Sequence, residues 1–178
     1  YTCKEHWKLR CSIGLLRIKH IDTMVNSEDK LNKLVEGSFI SEQNSKKIHG
    51  QRMLRAAVVQ SIYESEISKT KNIDLIKTSD YYENCSEERK TMAKLIFQYA
   101  IDNENIIDEK ILEHVDDKNF GRISIVDLSI LRMAISEMKV NNKAPVGVVV
   151  NEAVELANIF GSDSSKNFIN GVLHSMVR

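Results

Sequence analysis

The sequence predicts an all-α protein, and three observations support that fold class. The chain of 178 residues contains a single proline and only seven glycines, and it is rich in leucine, isoleucine, lysine and glutamate, a composition that favours helices. Apolar residues recur at steps of three and four along its C-terminal two thirds. The one β-like run, Val146 to Val150, follows Pro145 and shares an apolar stripe with the residues after it. We expect about six or seven helices between Lys46 and Val177.

Residues 1–45 are predicted to be a flexible N-terminal extension, followed by one helical domain at 46–178. The chain from Asn26 to Ser45 is polar and ends in glycine, serine and asparagine residues that are typical of a linker. The mildly basic start does not fit a signal peptide, because Arg17 and Lys19 interrupt its apolar stretch. Met24 is a candidate translation start, in which case the residues before it would be an artefact of start assignment.

Composition also bounds the function. The formal net charge is zero, so binding of nucleic acid would require a local basic patch. No apolar run reaches the length of a membrane span, and three widely spaced cysteines favour a reducing cytoplasm over a disulfide framework. The N-terminal metal-ligand types match no zinc spacing, so we expect neither metal nor cofactor. Those residues are Cys3, His6, Cys11 and His20.

The first helix is predicted from Lys46 to Ile67. Its inward face consists of Leu54, Ala57, Val58, Ser61 and Ile62. At 100° per residue, Arg52 lies roughly opposite that face and Arg55 lies on its flank. Basic residues also precede the helix or occupy its far side, namely Lys46, Lys47 and His49. This pattern fits a solvated charged face or an RNA-binding surface, and the spacing alone leaves both open.

The middle of the chain predicts a loop and two more helices. Asn72 to Asn84 is predicted to be a loop that can include a short helix, and Ser86 begins the next helix. The apolar face predicted for that helix is Met92, Leu95, Ile96, Tyr99 and Ala100. The helix after it has the apolar residues Ile106, Ile107, Ile111, Leu112 and Val115.

The clearest helix start lies after Gly121. Ser124 and Asp127 form a Ser-x-x-Asp variant of the capping box, in which the serine accepts a hydrogen bond from the backbone of the first turn. The inward residues predicted for this helix are Val126, Ile130, Leu131, Ala134, Ile135 and Met138.

Two amphipathic helices are predicted to meet at Gly161. Pro145 suits the first turn of the earlier helix, and Gly161 occupies a position where a left-handed residue commonly ends a helix. A serine or aspartate within 162–164 can cap the second helix. The apolar stripe of the earlier helix is Val146, Val149, Val150, Ala153, Leu156, Ala157 and Phe160. The stripe of the second helix is Phe168, Ile169, Val172, Leu173 and Met176.

Three blocks of this sequence resemble the NusB family of bacterial transcription antitermination factors. The first block runs from Arg52 to Tyr63 and includes Ala-Ala-Val-Val-Gln-Ser-Ile-Tyr. The second is Val-Asp-Leu-Ser-Ile-Leu-Arg at 126–132. The third is Pro-Val-Gly-Val-Val-Val-Asn-Glu-Ala-Val-Glu-Leu-Ala from Pro145, followed by Phe-Gly-Ser-Asp and Phe-Ile-Asn-Gly-Val-Leu. The resemblance covers about Ile48 to Val177.

The resemblance implies a helical bundle of two subdomains that is not an enzyme. Family members bind boxA, a short single-stranded RNA element, with the ribosomal protein NusE as partner. That complex joins the RNA polymerase antitermination complex and supports ribosomal RNA transcription in the cytoplasm.

The resemblance also suggests which residues bind. Unpaired bases are recognised by stacking and base-edge hydrogen bonds, and phosphates by lysine and arginine. The candidate RNA-binding residues are Lys46, Lys47, His49, Arg52, Arg55, Lys166 and Phe168. Phe168 fits either the core or a stacking platform. The candidate partner-binding residues are Tyr63, Glu66 and Asp127.

Two other interpretations remain open. NusB-like domains also occur fused to RNA cytosine methyltransferases, but such an enzyme needs a further α/β domain and a reactive cysteine. Cys85 lies in a polar segment without a neighbouring histidine or basic residue to lower its pKa, so it is a poor candidate for a nucleophile. The chain also fits a helical interaction module without an RNA role, including a homodimer.

Overall fold

The computed structural model describes residues 50–115 and 121–177, and across these ranges the only regular elements are helices, as predicted. The described residues form one compact unit. Seven α-helices and one 3-10 helix are found within the described ranges. They are α1 (Gln51–Ser68), the 3-10 helix (Ile73–Thr78), α2 (Asp80–Glu83), α3 (Glu87–Asp102), α4 (Glu104–Leu112), α5 (Ile125–Val140), α6 (Val146–Phe160) and α7 (Ser165–Met176).

Helix α5 is the centre of the bundle. Every residue from Ser129 to Glu137 is buried, and α5 contacts α1, α3, α4, α6 and α7. A helix that is buried on all sides needs apolar or internally paired residues around its whole circumference. The predicted inward residues of α5 are buried, except that Met138 is half-buried. The burial of its polar residues does not follow from the sequence pattern.

Helix α1 packs against α3 and α5 through the face that the sequence predicts, and all five of those inward residues are buried. It begins later than the predicted Lys46, because Gly50 adopts φ 61° and ψ −128°. Only glycine adopts that conformation readily, and a helix cannot continue through it. Lys46 itself lies outside the described residues.

The apolar faces predicted for α3 and α4 are partly wrong. Leu95 and Ile106 are each 53% exposed, and Met92 and Tyr99 are half-buried. The buried face of α3 is instead rotated by part of a turn, to Ala93, Ile96, Phe97, Ala100 and Ile101. Both sets have the same three- and four-residue spacing and differ by a shift of one residue, so periodicity alone does not choose between them, and counting large apolar residues gives the wrong face. In α4 only Ile107 and Ile111 are buried.

A buried ion pair joins α1 to α5. Arg55 is 3% exposed and Glu137 is fully buried. The Nε and Nη2 atoms of Arg55 each donate to a carboxylate oxygen of Glu137 at 2.7 Å. Asn141 donates to the same carboxylate at 3.2 Å. Arg55 lies on the flank of the inward face, as predicted, but this flank is buried, because the side chain pairs with Glu137 of α5.

A second ion-pair cluster joins α1, α4 and α5 around Arg132. Asp108 accepts two hydrogen bonds from the guanidinium, at 2.8 and 2.7 Å. Glu66 accepts a third at 3.0 Å, and Glu104 lies 3.2 Å away. The pKa of Arg132 is raised although burial opposes the charged form, because hydrogen bonds and charges from these carboxylates outweigh it.

Gly161 ends α6, but not in the left-handed conformation that the sequence predicts. Its φ and ψ are −88° and −173°, an extended geometry open to any residue. Glycine is required by contact instead. A Cβ atom on Gly161 would lie 2.5 Å from both Cβ and Oγ of Ser165 and 2.7 Å from the carbonyl oxygen of Ala157.

Side-chain capping is confirmed at one of the two predicted helix starts. The Ser124 hydroxyl accepts a hydrogen bond from the Asp127 N–H at 3.0 Å, as the capping box predicts. The N-cap of α7 is Ser164, whose side chain makes no capping hydrogen bond. Instead, the hydroxyl of Ser165 accepts from the Ser162 N–H at 2.9 Å, which ties the corner together.

We predict that Gly161→Ala destabilises the protein by about 1–3 kcal/mol, the range typical of overpacking at a tight contact. Gly171→Ala is the matched control, because Gly171 lies inside α7 and a Cβ atom added there would meet nothing within 4 Å. We expect that control to be neutral or to stabilise by up to about 1 kcal/mol, because alanine is the better helix former. Denaturant unfolding of both variants measures the difference, and equal midpoints would contradict the packing argument.

We predict that Arg55→Met lowers the free energy of unfolding by about 3–5 kcal/mol, because it leaves the buried Glu137 carboxylate without its main partner. The double variant Arg55→Met/Glu137→Met should recover much of that loss. Glu87→Gln is the surface control, because the Glu87 side chain is 89% exposed in its pair with Lys90, and we expect no measurable change there. A double variant as unstable as the single one would argue against the buried charge as the cause.

Candidate nucleic-acid interface

Arg52 lies at the start of α1, and its guanidinium is held by α6. Its Nε and Nη2 atoms each donate to a carboxylate oxygen of Glu152 at 2.9 Å, and its Nη1 atom lies 3.7 Å from Glu155. The hydrogen bond from Arg52 lowers the pKa of the Glu152 carboxyl, with burial opposing. Arg52 points towards α6, not away from the bundle as the helical wheel predicts, but its side chain keeps 25% exposure.

Arg55 is the second arginine of this helix start, and its position argues against direct contact with RNA. Glu137 uses two of its donors, and its Nη1 atom lies 3.8 Å from Glu152. Arg52, Arg55, Glu137 and Glu152 therefore form one network across α1, α5 and α6. The arrangement gives Arg55 a packing role.

Three of the predicted basic residues precede the first described position. Lys46, Lys47 and His49 lie outside the described residues, and their roles in RNA binding stay predictions.

The start of α7 has the other two predicted RNA-binding residues. Lys166 is exposed and Phe168 is half-buried, and Lys166 has no ion pair within the described parts of the chain. Phe168 therefore belongs partly to the core and partly to the surface. Its exposure is intermediate between that of a core residue and that of a fully exposed stacking platform.

Helix α6 relates this corner to Arg52. Glu155, which lies next to Arg52, precedes Gly161 by six residues, or about 9 Å along a helix axis. Helix α6 therefore connects the residues around Arg52 to the corner that precedes Lys166.

A groove of about 350 Å³ opens at the start of α1, beside α3 and the α5–α6 connection. Its apolar wall includes Leu54, Met92 and Val148. Two cations on its rim, Arg89 and Lys143, make no ion pair within the described residues. No sequence pattern indicates these two cations, because they belong to different helices and connections and meet only in the fold.

Helix α1 and the start of α5 hold the predicted partner-binding residues. Glu66 is engaged by Lys69 and Arg132, and hydrogen bonds from both lower its pKa, that from Lys69 most. Asp127 is only 8% exposed. Its Oδ1 atom is buried without a hydrogen-bond partner among the described residues. Tyr63 is half-buried.

Glu66 and Asp127 differ in what they offer a partner. The carboxylate of Glu66 already has two cations, whereas one oxygen of Asp127 still lacks a donor within the described ranges. A buried acceptor without a partner carries a desolvation penalty that an incoming N–H group can relieve.

Metal-ligand residue types and the thiol of Cys85 are candidate sites for metal binding and catalysis within the described residues. No group of three histidine, cysteine or acidic side chains within them is placed to hold a metal ion. Cys3, His6, Cys11 and His20 lie outside them. Burial raises the pKa of the Cys85 thiol, and the nearby Arg89 and Lys90 only partly oppose the shift. These two cations correct the expectation that no basic residue neighbours Cys85, but the direction of the shift still disfavours a thiolate.

None of the helices in the described ranges combines the length and the apolar character needed to cross a membrane.

Ion-pair partners are the main site features that the sequence does not reveal. Glu152 and Glu155 stand out in the sequence only as polar positions of an amphipathic helix. Their role depends on Arg52, which lies 100 residues earlier than Glu152. No spacing rule links positions so far apart.

Comparison with known proteins identifies the family. The family model described as NusB family matches residues 52–178. The transcription antitermination protein NusB of Bacillus cereus (strain ATCC 10987 / NRS 248) is 34% identical over 126 residues, which cover 71% of this chain and 95% of that protein. The Bacillus thuringiensis (strain Al Hakam) protein of the same name is 33% identical over 126 residues, which again cover 71% of this chain and 95% of that protein.

Solved structures of NusB proteins have a similar fold. The structure of T. maritima NusB is similar with a TM-score of 0.66 and 25% identity, covering 72% of this chain and 90% of that one. A chain in a crystal structure of the antitermination factors NusB and NusE in complex with dsRNA has a TM-score of 0.62 and 20% identity, covering 70% and 93%. The first and second of the sequence blocks lie on α1 and α5, and the third spans α6 and α7. The chain belongs to the NusB family.

Proposed function

We propose that this protein is a transcription antitermination factor that binds boxA-type single-stranded RNA together with the ribosomal protein NusE. In this proposal it joins the RNA polymerase antitermination complex in the cytoplasm and acts by binding, without catalysis. Two facts about its relatives support this: the curated ones are named transcription antitermination proteins, and one structural neighbour was crystallised with NusE and RNA.

The observation that carries the proposal is the start of α7. An exposed lysine and a half-buried aromatic ring stand two positions apart there, at Lys166 and Phe168. A cation beside an accessible ring suits one phosphate and one unstacked base. Arg52, on α1 beside α6, supplies a second point of contact once its guanidinium is released from Glu152. We leave Arg55 out of the proposed RNA surface because Glu137 already engages it.

The proposed NusE surface lies at the start of α5 and the adjoining part of α1. Asp127 is its centre, because one of its carboxylate oxygens lacks a donor within the described residues. NusE relatives are basic, so a lysine, an arginine or a backbone N–H of the partner suits this position. Tyr63 and Glu66 are proposed to border it.

The main alternative is a helical interaction module that does not bind RNA, including a homodimer. Gel shifts with a boxA-type RNA, with and without NusE, together with light-scattering mass, separate the possibilities. RNA binding that NusE enhances supports the proposal. Absence of binding under both conditions, with a dimeric mass, favours the module.

We predict that Phe168→Ala weakens RNA binding about tenfold, because loss of one base-stacking contact costs about 1–3 kcal/mol. Lys166→Ala should reduce the slope of log K against log salt by about 0.7, the value for one phosphate contact on a single strand. Lys94→Ala is the control, because Lys94 is an exposed lysine of α3 outside the proposed surface. Fluorescence anisotropy measures all three, and equal effects of the two lysine variants would argue against the assignment.

We predict that Asp127→Asn weakens binding of NusE at least about tenfold, because truncating one side of a buried charged contact costs about 2–5 kcal/mol. Asparagine keeps the volume, so the fold should remain intact. Asp102→Asn removes a carboxylate from the exposed end of α3 and serves as the control. Isothermal titration calorimetry measures the affinity, and an unchanged value in a folded Asp127→Asn protein would place the partner elsewhere.

A further inference from the structure

Arg52 is held by carboxylates of its own chain on the edge that a phosphate would use. Glu152 accepts from both Nε and Nη2, each at 2.9 Å. These two donors form the fork that also grips phosphate oxygens in pairs. Glu155 lies 3.7 Å from the remaining Nη1 atom. The guanidinium is therefore occupied by carboxylates at the very place where the proposed function needs it.

The pair is exposed enough to open. The side chains of Arg52 and Glu152 keep 25% and 21% exposure, whereas those of Arg55 and Glu137 keep 4% and 1%. Breaking a partly solvated ion pair costs far less than breaking a buried one, so such a pair exchanges more easily. The outer pair can therefore separate without disturbing the inner pair.

Glu152 also lies near a second cation, Arg55. The Nη1 atom of Arg55 lies 3.8 Å from a Glu152 oxygen, and Arg55 stays anchored by Glu137 in either case. When Arg52 moves to a phosphate, the Glu152 carboxylate keeps a positive neighbour and is not left as an isolated charge. The four side chains can thus adopt two arrangements, one with Arg52 held by Glu152 and one with Arg52 free.

We propose that Glu152 is a positioning residue that competes with RNA phosphate for Arg52 and lowers the RNA affinity of the free protein. The proposal rests on the proposed function, since it concerns RNA binding at the same surface. Glu152 contacts no RNA in this scheme. It sets how much of the time the Arg52 guanidinium is available, and binding of a phosphate shifts the network to its second arrangement.

The test is a double-mutant cycle on the full chain, with boxA-type single-stranded RNA as the probe and NusE present at fixed concentration. Glu152→Gln keeps the shape of the side chain and removes its charge. We expect RNA affinity to rise about two- to fivefold, the range that loss of a partly exposed ion pair gives. The slope of log K against log salt should steepen by up to about 0.7, the value for one additional phosphate contact.

Arg52→Gln should weaken binding, and the double variant Arg52→Gln/Glu152→Gln should bind no more tightly than Arg52→Gln alone. This comparison separates local competition from the general effect of removing a negative charge. A gain that persists in the Arg52→Gln background would come from overall charge and would overturn the proposal. No gain in Glu152→Gln would overturn it as well.

Glu152→Asp is a second variant that preserves net charge and shortens the reach of the carboxylate. It should also raise RNA affinity, by less than Glu152→Gln. Circular dichroism and thermal unfolding verify that each variant is folded, and the aspartate variant decides the question if the glutamine variant unfolds. If the wild-type protein and every variant fail to bind RNA with or without NusE, the proposed function itself fails, and this inference fails with it.

Discussion

The buried pair between Arg55 and Glu137 is the interaction on which the rest of the structure depends. It fixes the first turns of α1 against the last turns of α5, and through Glu152 it reaches α6. Charges this deeply buried are tolerated only when each has a well-aligned partner, so the pair specifies one relative position of these helices. The proposed RNA surface is built on that position. Arg52 sits one turn before Arg55, and its orientation towards α6 follows from the same packing.

The second cluster, around Arg132, has a comparable role near the other end of α1. Arg52 and Glu66 are about 21 Å apart along the helix, so the two networks hold opposite ends of α1 against α5. Arg52 of the proposed RNA surface belongs to the first network, and Glu66 of the proposed partner surface belongs to the second. Helix α1 therefore holds one residue of each proposed surface near its opposite ends.

The helical fold, the helix from Ser86, the capping serine at Ser124 and the inward face of α1 are all predictable, because they depend on local spacing and capping chemistry. The buried face of α3 is harder to predict. Leu95 is more hydrophobic than Ala93, so hydrophobicity alone favours the wrong face, whereas the small side chain of Ala93 allows closer packing. Gly161 is recognisable as a helix end, but its physical reason is contact and not backbone conformation. The ion-pair partners of Arg52 and Arg55 could not be predicted, since their geometry arises only when segments distant in sequence pack together.

The contact between Gly161 and Ser165 also bears on the order of folding. The corner is formed by residues that are close in sequence, so α6 and α7 can pair after closing a short loop. The Arg55–Glu137 pair instead joins positions 82 residues apart, which requires closure of a long loop with a larger entropic cost. Local contacts form faster than distant ones. We therefore expect α6 and α7 to pair early in folding and α1 to dock against the bundle later.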